Sequence, residues 1–78
     1  MVNTLPFIEK DGRKLSIQTK RFLNEERELQ VLSSAAGFYL GTLDDDGWPN
    51  SRDSGYYASA EAAQADLDAG TFAPRLNP

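Results

Sequence analysis

The chain contains no cysteine and no histidine. The first absence excludes disulfides, thiolate metal sites and a cysteine nucleophile. The second removes the commonest general base and metal ligand at neutral pH. Long apolar runs are missing too. Nothing approaches the roughly 18 residues of a membrane span, and the first residues lack the apolar stretch of a secretory signal. These absences lead us to expect a cytoplasmic protein that does not enter a membrane and carries no cofactor. Aromatics are sparse at 10%, with a single Trp, so their placement carries information.

At 78 residues the chain has room for one domain and no second core. A chain this short buries only about 60% of its unfolded surface, so its core is small. Apolar residues at 40% and charged residues at 26% are ordinary for a folded domain. The net charge of −4 is unevenly spread. Residues 1–30 hold six bases (Lys10, Arg13, Lys14, Lys20, Arg21, Arg27) against five acids. Residues 31–78 hold only Arg52 and Arg75 against seven acids. The second half therefore repels a phosphate backbone and attracts a basic surface.

The stretch 37–57, GFYLGTLDDDGWPNSRDSGYY, gathers the Trp, all three Tyr and four of the six Gly. It reads as a hairpin: an apolar strand Phe38–Leu43, a turn Asp44–Pro49, and a polar strand from Asn50 to Tyr57. Phe38, Leu40 and Thr42 share one face of the first strand. Gly41, inside it, signals a bulge or a close approach by another group. The second strand has two polar faces, with Arg52 on one and Asp53 on the other. Such a strand is an edge, or it covers something polar. Of Tyr56 and Tyr57, one faces the core and the other is exposed.

Upstream, residues 4–19 read as a first hairpin turning at Asp11-Gly12, a strong two-residue turn signal, with a return strand from Lys14 to Thr19. Pro6 makes its first strand an edge. Residues 20–36 allow two readings. One is a short helix over Lys20–Arg27 with Phe22 and Leu23 inward, then a strand over Glu28–Val31, then a loop over Ser33–Gly37. The other is a single helix through Leu32, whose stripe of Phe22, Glu26, Leu29 and Leu32 is not cleanly apolar. We lean to the first. Downstream, Ser59 is an N-cap, Glu61 suits the first turn, a helix spans Ala60–Ala69, and Gly70 is the C′ residue. Phe72 folds back beneath that helix, and Pro74 and Pro78 make residues 71–78 an extended, mobile tail. The fold class that follows is α+β: an antiparallel sheet of about four or five strands from two hairpins, with a C-terminal helix and a short middle one.

Three kinds of chemistry can be weighed against these elements. The acidic turn invites calcium. Aligning Gly47 with the invariant glycine of an EF-hand loop puts Thr42 and Asp53 where Asp and Glu are needed, and strands flank the loop, so no metal site is expected. Ser51-Arg52-Asp53-Ser54 holds hydroxyls and a carboxylate, but no histidine exists to serve as base, so no catalytic residue is assigned. Trp48, Tyr56, Tyr57 and Tyr39, with Arg52, are the residue types that dominate protein interfaces. The same rings could stack bases, but the acids around them argue against it. Only Lys10, Arg13 and Lys14 of the first hairpin approach a nucleic-acid-binding set, and Glu9 and Asp11 interrupt it.

The pattern Gly37-Phe38-Tyr39-Leu40-Gly41-Thr42-Leu43-Asp44, Asp46-Gly47, Pro49, Ser51-Arg52-Asp53-Ser54, Tyr56-Tyr57, an alanine-rich helix and Pro74-Arg75 resembles a group of small accessory proteins of phages, plasmids and integrated mobile elements. The likeness covers the second half of the chain closely and the first third loosely. It implies a setting and no catalytic residues. Such proteins often serve host takeover, including inhibition of CRISPR and other defence systems. The expectation is a non-enzymatic protein that docks on a basic surface of a host protein or complex. Asp44, Asp45 and Asp46 would supply attraction, Trp48 with Tyr56 or Tyr57 buried area, and Arg52, beside Asp53, a directed ion pair. The alternatives are a nucleic-acid-binding accessory protein using Lys10, Arg13 and Lys14, and a small homo-oligomer, most simply a homodimer paired along a free strand edge.

Overall fold

The structure, a computed structural model, describes residues 5–73. It is α+β, with strands β1 (Ile8–Lys10), β2 (Arg13–Leu15), β3 (Gln30–Ser34), β4 (Gly37–Leu43) and β5 (Pro49–Arg52), and helix α1 (Ala60–Ala69). The strands form two antiparallel sheets, β1-β2 and β3-β4-β5. A single larger sheet is therefore not what these hairpins build. Asp11-Gly12 makes the turn of the first hairpin as its composition predicts, both residues taking positive φ (54° and 78°).

The second sheet centres on β4, with β3 and β5 as its edges. Of the two readings of residues 20–36, a short helix followed by a strand is the one realised, with shifted bounds. The strand is Gln30–Ser34, and Ala35-Ala36 closes a tight hairpin onto β4 where a loop was expected.

The return strand of the first hairpin stops at Leu15, short of Thr19. Ser16 leaves the ladder because its side chain has other partners: its Oγ accepts the Thr19 N–H at 3.0 Å and donates to Asp53 Oδ2 at 2.7 Å. The chain then winds into a π-helical turn, Thr19–Leu23, closed by Asn24 in the left-handed region with its N–H on the Thr19 carbonyl. Thr19, bonded through Oγ1 to the Ser16 and Glu25 carbonyls, is the buried residue of this turn. Phe22 and Leu23 are consequently exposed, at 48% and 51%, which corrects their expected inward placement.

α1 forms as its caps dictate. Ser59 Oγ accepts the Ala62 N–H, and past the last turn the N–H groups of Gly70 and Thr71 return to Leu67 and Asp66 carbonyls. This is a Schellman closure. The helix lays Ala63 and Leu67 on Phe7, Leu29, Leu40 and Phe72, with Val31, Phe38 and Tyr57 packed around them. Phe72 thus seats in the core. The rest of the expected tail, from Pro74 onward, lies outside the described residues.

A second interior is polar. Ser16, Gln18, Thr19, Thr42, Asp53 and Ser54 are all buried. Thr42 and Leu40 lie on the same face of β4, so the sheet meets α1 towards one end and the Ser16–Thr19 segment towards the other. The apolar-poor second strand of the hairpin has this as its cause: it is an edge, and it covers a polar interior.

Candidate functional site

The tip of the β4–β5 hairpin is built by Asp44. Its N–H donates to the Trp48 carbonyl at 2.8 Å, and its carbonyl accepts from Gly47 N at 3.0 Å. Its carboxylate Oδ1 accepts from the N–H groups of Asp46 and Trp48, both at 2.9 Å. An aspartate bonding backbone N–H groups ahead of it is a strong local turn device. Arg27 braces the tip from outside, donating from Nη1 to the Leu43 carbonyl (3.2 Å) and to Asp45 Oδ1 (3.0 Å) and from Nε to Glu25 Oε1 (3.0 Å). The hydrogen bond to Glu25, then that to Asp45, pushes the Arg27 pKa above its ordinary value. The three acids thus divide their work. Asp44 holds the turn, Asp45 pairs with Arg27, and Asp46 has no side-chain partner among the described residues. Trp48 stands off the sheet at 69% exposure.

Beside the tip, on the sheet face turned away from α1, lies a groove of about 340 Å³ walled by Tyr39, Pro49, Arg52 and Tyr56, with Asn50 and Gln18 also lining it. The Tyr39 and Tyr56 rings meet edge to face, centroids 5.9 Å apart. The Arg52 guanidinium lies 4.9 Å over the Tyr56 ring and donates to its hydroxyl. Among the described residues no carboxylate pairs with Arg52, contrary to the pairing with an acid that an exposed strand usually offers. Thr42 pairs with Ser51 and Leu43 with Pro49, so Asn50 is an extra, bulged residue on β5. Its Nδ2 is buried and has no hydrogen-bond partner among the described residues. Gly41 makes the closeness of the strands possible: a Cβ there would stand 2.1 Å from the Ser51 carbonyl oxygen.

Asp53 turns the other way and is 2% exposed. It accepts from Ser16 Oγ and Ser51 Oγ, each at 2.7 Å. A carboxylate only accepts, so Ser51 gives its one proton to Asp53, and Thr42 Oγ1 donates to Ser51 Oγ at 2.8 Å. Each hydroxyl proton of Ser16 and Ser51 is thus committed to one carboxylate inside the protein.

Of the residues expected at an interface, Asp45, Asp46 and Trp48 sit at the hairpin tip, Arg52 lies opposite Gly41 further along β4, and Tyr56 stands beside Gly37 at the far end of that strand, its side chain reaching back to Arg52. Asp44 is held within the turn, Asp53 is interior, and Tyr57 is half-buried against the core with its hydroxyl on Asp66. In the first hairpin, Lys10 bonds Glu26 at 2.8 Å, a contact that lowers the Glu26 pKa chiefly through that hydrogen bond. Lys14 lies 5.5 Å over the Phe7 ring. Arg13 is exposed and has no side-chain partner among the described residues. Tyr39, one of the aromatics given a binding reading from sequence, lines the groove, whereas sequence reasoning missed Asn50. The usable signal for Asn50 was an odd count across the hairpin, which displaces one residue of β5 from the ladder.

No family model, curated protein or solved structure matches the chain. Among the described residues no helix is long and apolar enough to cross a membrane.

Proposed function

We propose that this is a non-enzymatic binding protein of a mobile genetic element, acting in the host cytoplasm by docking on a basic surface of a host protein complex, a defence complex such as a CRISPR effector being the foremost candidate class. The observation that carries the reading is Trp48, 69% exposed at the apex of a turn that Asp44 and Arg27 hold in shape. A large ring presented on a preorganised turn loses little entropy when it is buried by a partner, and Trp is the residue type most enriched where interfaces hold their energy. Asp46, unpaired beside it, and Asp45 give the tip its negative field, which favours encounter with a cationic surface. Arg52 and Tyr56 lie further along the same hairpin.

The test is capture from host lysate with and without nuclease, wild type against Trp48→Ala/Asp46→Lys. The reading expects a defined protein complex retained by the wild type and lost by the double variant. Equal capture by both removes the tip from the interface. Capture that vanishes with nuclease favours nucleic acid and the first hairpin. That alternative starts weaker, since Lys10 is paired and Lys14 lies over a ring, which leaves Arg13, among the described residues of that hairpin, as the cation without such a contact.

A further inference from the structure

We propose that the groove beside β5 binds a carboxylate carried on an apolar body, such as the C-terminal residue of a peptide or a small aromatic acid. This extends the docking reading by naming the group that Arg52 takes, and its test needs no protein partner. The first observation is Asn50. A bulge places it in the wall of the groove, and its Nδ2 is a buried donor with no partner among the described residues. Buried donors are ordinarily satisfied, and bulges recur next to functional sites because they re-aim one side chain. Nδ2 is closed to solvent, so a ligand's acceptor completes it once the Asn50 side chain turns out into the groove.

The second observation is Arg52. Among the described residues its side chain's one hydrogen bond is to a neutral phenol, so no carboxylate offsets the charge, and the guanidinium carbon lies 4.9 Å from the centre of the Tyr56 ring. A planar fork of N–H donors matches a carboxylate in two parallel bonds. The third is the walls. Tyr39, Tyr56 and Pro49 offer apolar surface, and about 340 Å³ is at the lower end of small-ligand sites. A single guanidinium with a neutral donor suits a monoanion. The net charge of −4 disfavours polyanions such as nucleic acid.

The experiment is a titration of the ¹⁵N-labelled full chain, followed by NMR at fixed ionic strength. The probes are N-acetyl-L-phenylalanine, its amide, benzoate and inorganic phosphate. We expect saturable shifts at the Asn50 side-chain amide and at Arg52 and Tyr56 with the carboxylates, and binding of the amide weaker by about tenfold or more. Arg52→Gln should weaken the carboxylate by a similar factor, about tenfold, with the rest of the spectrum in place. Asn50→Asp, which sets a like charge in the groove, should abolish binding, and Trp48→Ala should leave it unchanged. Tighter binding of N-acetylphenylalanine than of benzoate assigns a peptide terminus, and the reverse a free acid; both support the site. No saturable shift at Asn50, equal response to the amide, wild-type affinity in Asn50→Asp, or phosphate binding more tightly than either carboxylate overturns it.

Discussion

Asp53 shows how one side chain can decide a local structure far away in sequence. It is the acceptor for Ser16 and Ser51, and Ser16 precedes it by 37 residues. Because Ser16 is drawn inward, β2 ends early and the π-helical turn begins. Removing the carboxylate leaves buried hydroxyls without acceptors, at about 1–3 kcal/mol for each group left unsatisfied. Asp53→Ala should therefore cost about 2–5 kcal/mol, a large part of the total for a domain whose net stability is about 5–15 kcal/mol. Asp53→Asn keeps the shape but turns an N–H₂ towards one serine, and should cost about 1–3 kcal/mol. Urea unfolding followed by circular dichroism measures both. Loss of less than about half a kcal/mol in Asp53→Ala, within the range of ordinary surface changes, would show that the network does not hold the two sheets together.

Among the elements, the β4–β5 hairpin depends on the missing side chain at Gly41. An added methyl would meet the Ser51 carbonyl at 2.1 Å, and that obstacle is backbone, which cannot swing aside. Gly41→Ala should cost about 3 kcal/mol or more. It should also disturb Asn50 and Arg52, visible as displaced amide resonances along β5 with α1 unshifted. A near-neutral thermal midpoint would contradict this. The elements legible in sequence are those whose instructions are local. Ser59 and Gly70 bound α1, Asp11-Gly12 turns the first hairpin, and the alternation of Phe38–Leu43 with the two-faced polarity after it mark a core strand and an edge. What was illegible rests on distant partners. Nothing near Ser16 says that Asp53 waits for it, and nothing near Phe22 says that Thr19 will take the inward place. The acidic turn was legible as a tip, but the division of labour among Asp44, Asp45 and Asp46 depends on Arg27. The groove was hidden because it needs Tyr39 from one strand, a bulge at Asn50 on the next, and Tyr56 beyond it.

At the scale of the whole molecule, sheet and helix are joined at Tyr57. Its backbone pairs with Phe38 on both sides, N–H to carbonyl at 2.6 Å and carbonyl to N–H at 3.0 Å, and its hydroxyl donates to Asp66 Oδ2 of α1 at 2.8 Å. Burial first, and then the hydrogen bond to Asp66, raises the Tyr57 pKa to about 12, against about 10 in an unfolded chain. The folded state thus holds its phenol proton over a range in which the unfolded state has released it. By linkage the contribution is fully present below pH of about 10 and is lost as pH rises towards about 12. Tyr57→Phe removes the titrating group and the bond to Asp66. At neutral pH it should cost about 1 kcal/mol, while between pH of about 10 and 12 its stability should fall less steeply than that of the wild type. Other alkaline titrations are common to both chains and cancel in the difference. Urea midpoints measured at intervals from pH 8 to about 12 provide the comparison, and a 295 nm absorbance titration reports the phenol itself. Parallel decline of the two proteins across that window would mean that the Tyr57 proton is not what ties α1 to the sheet, and the joint would then rest on the apolar contacts of Ala63 and Leu67 alone.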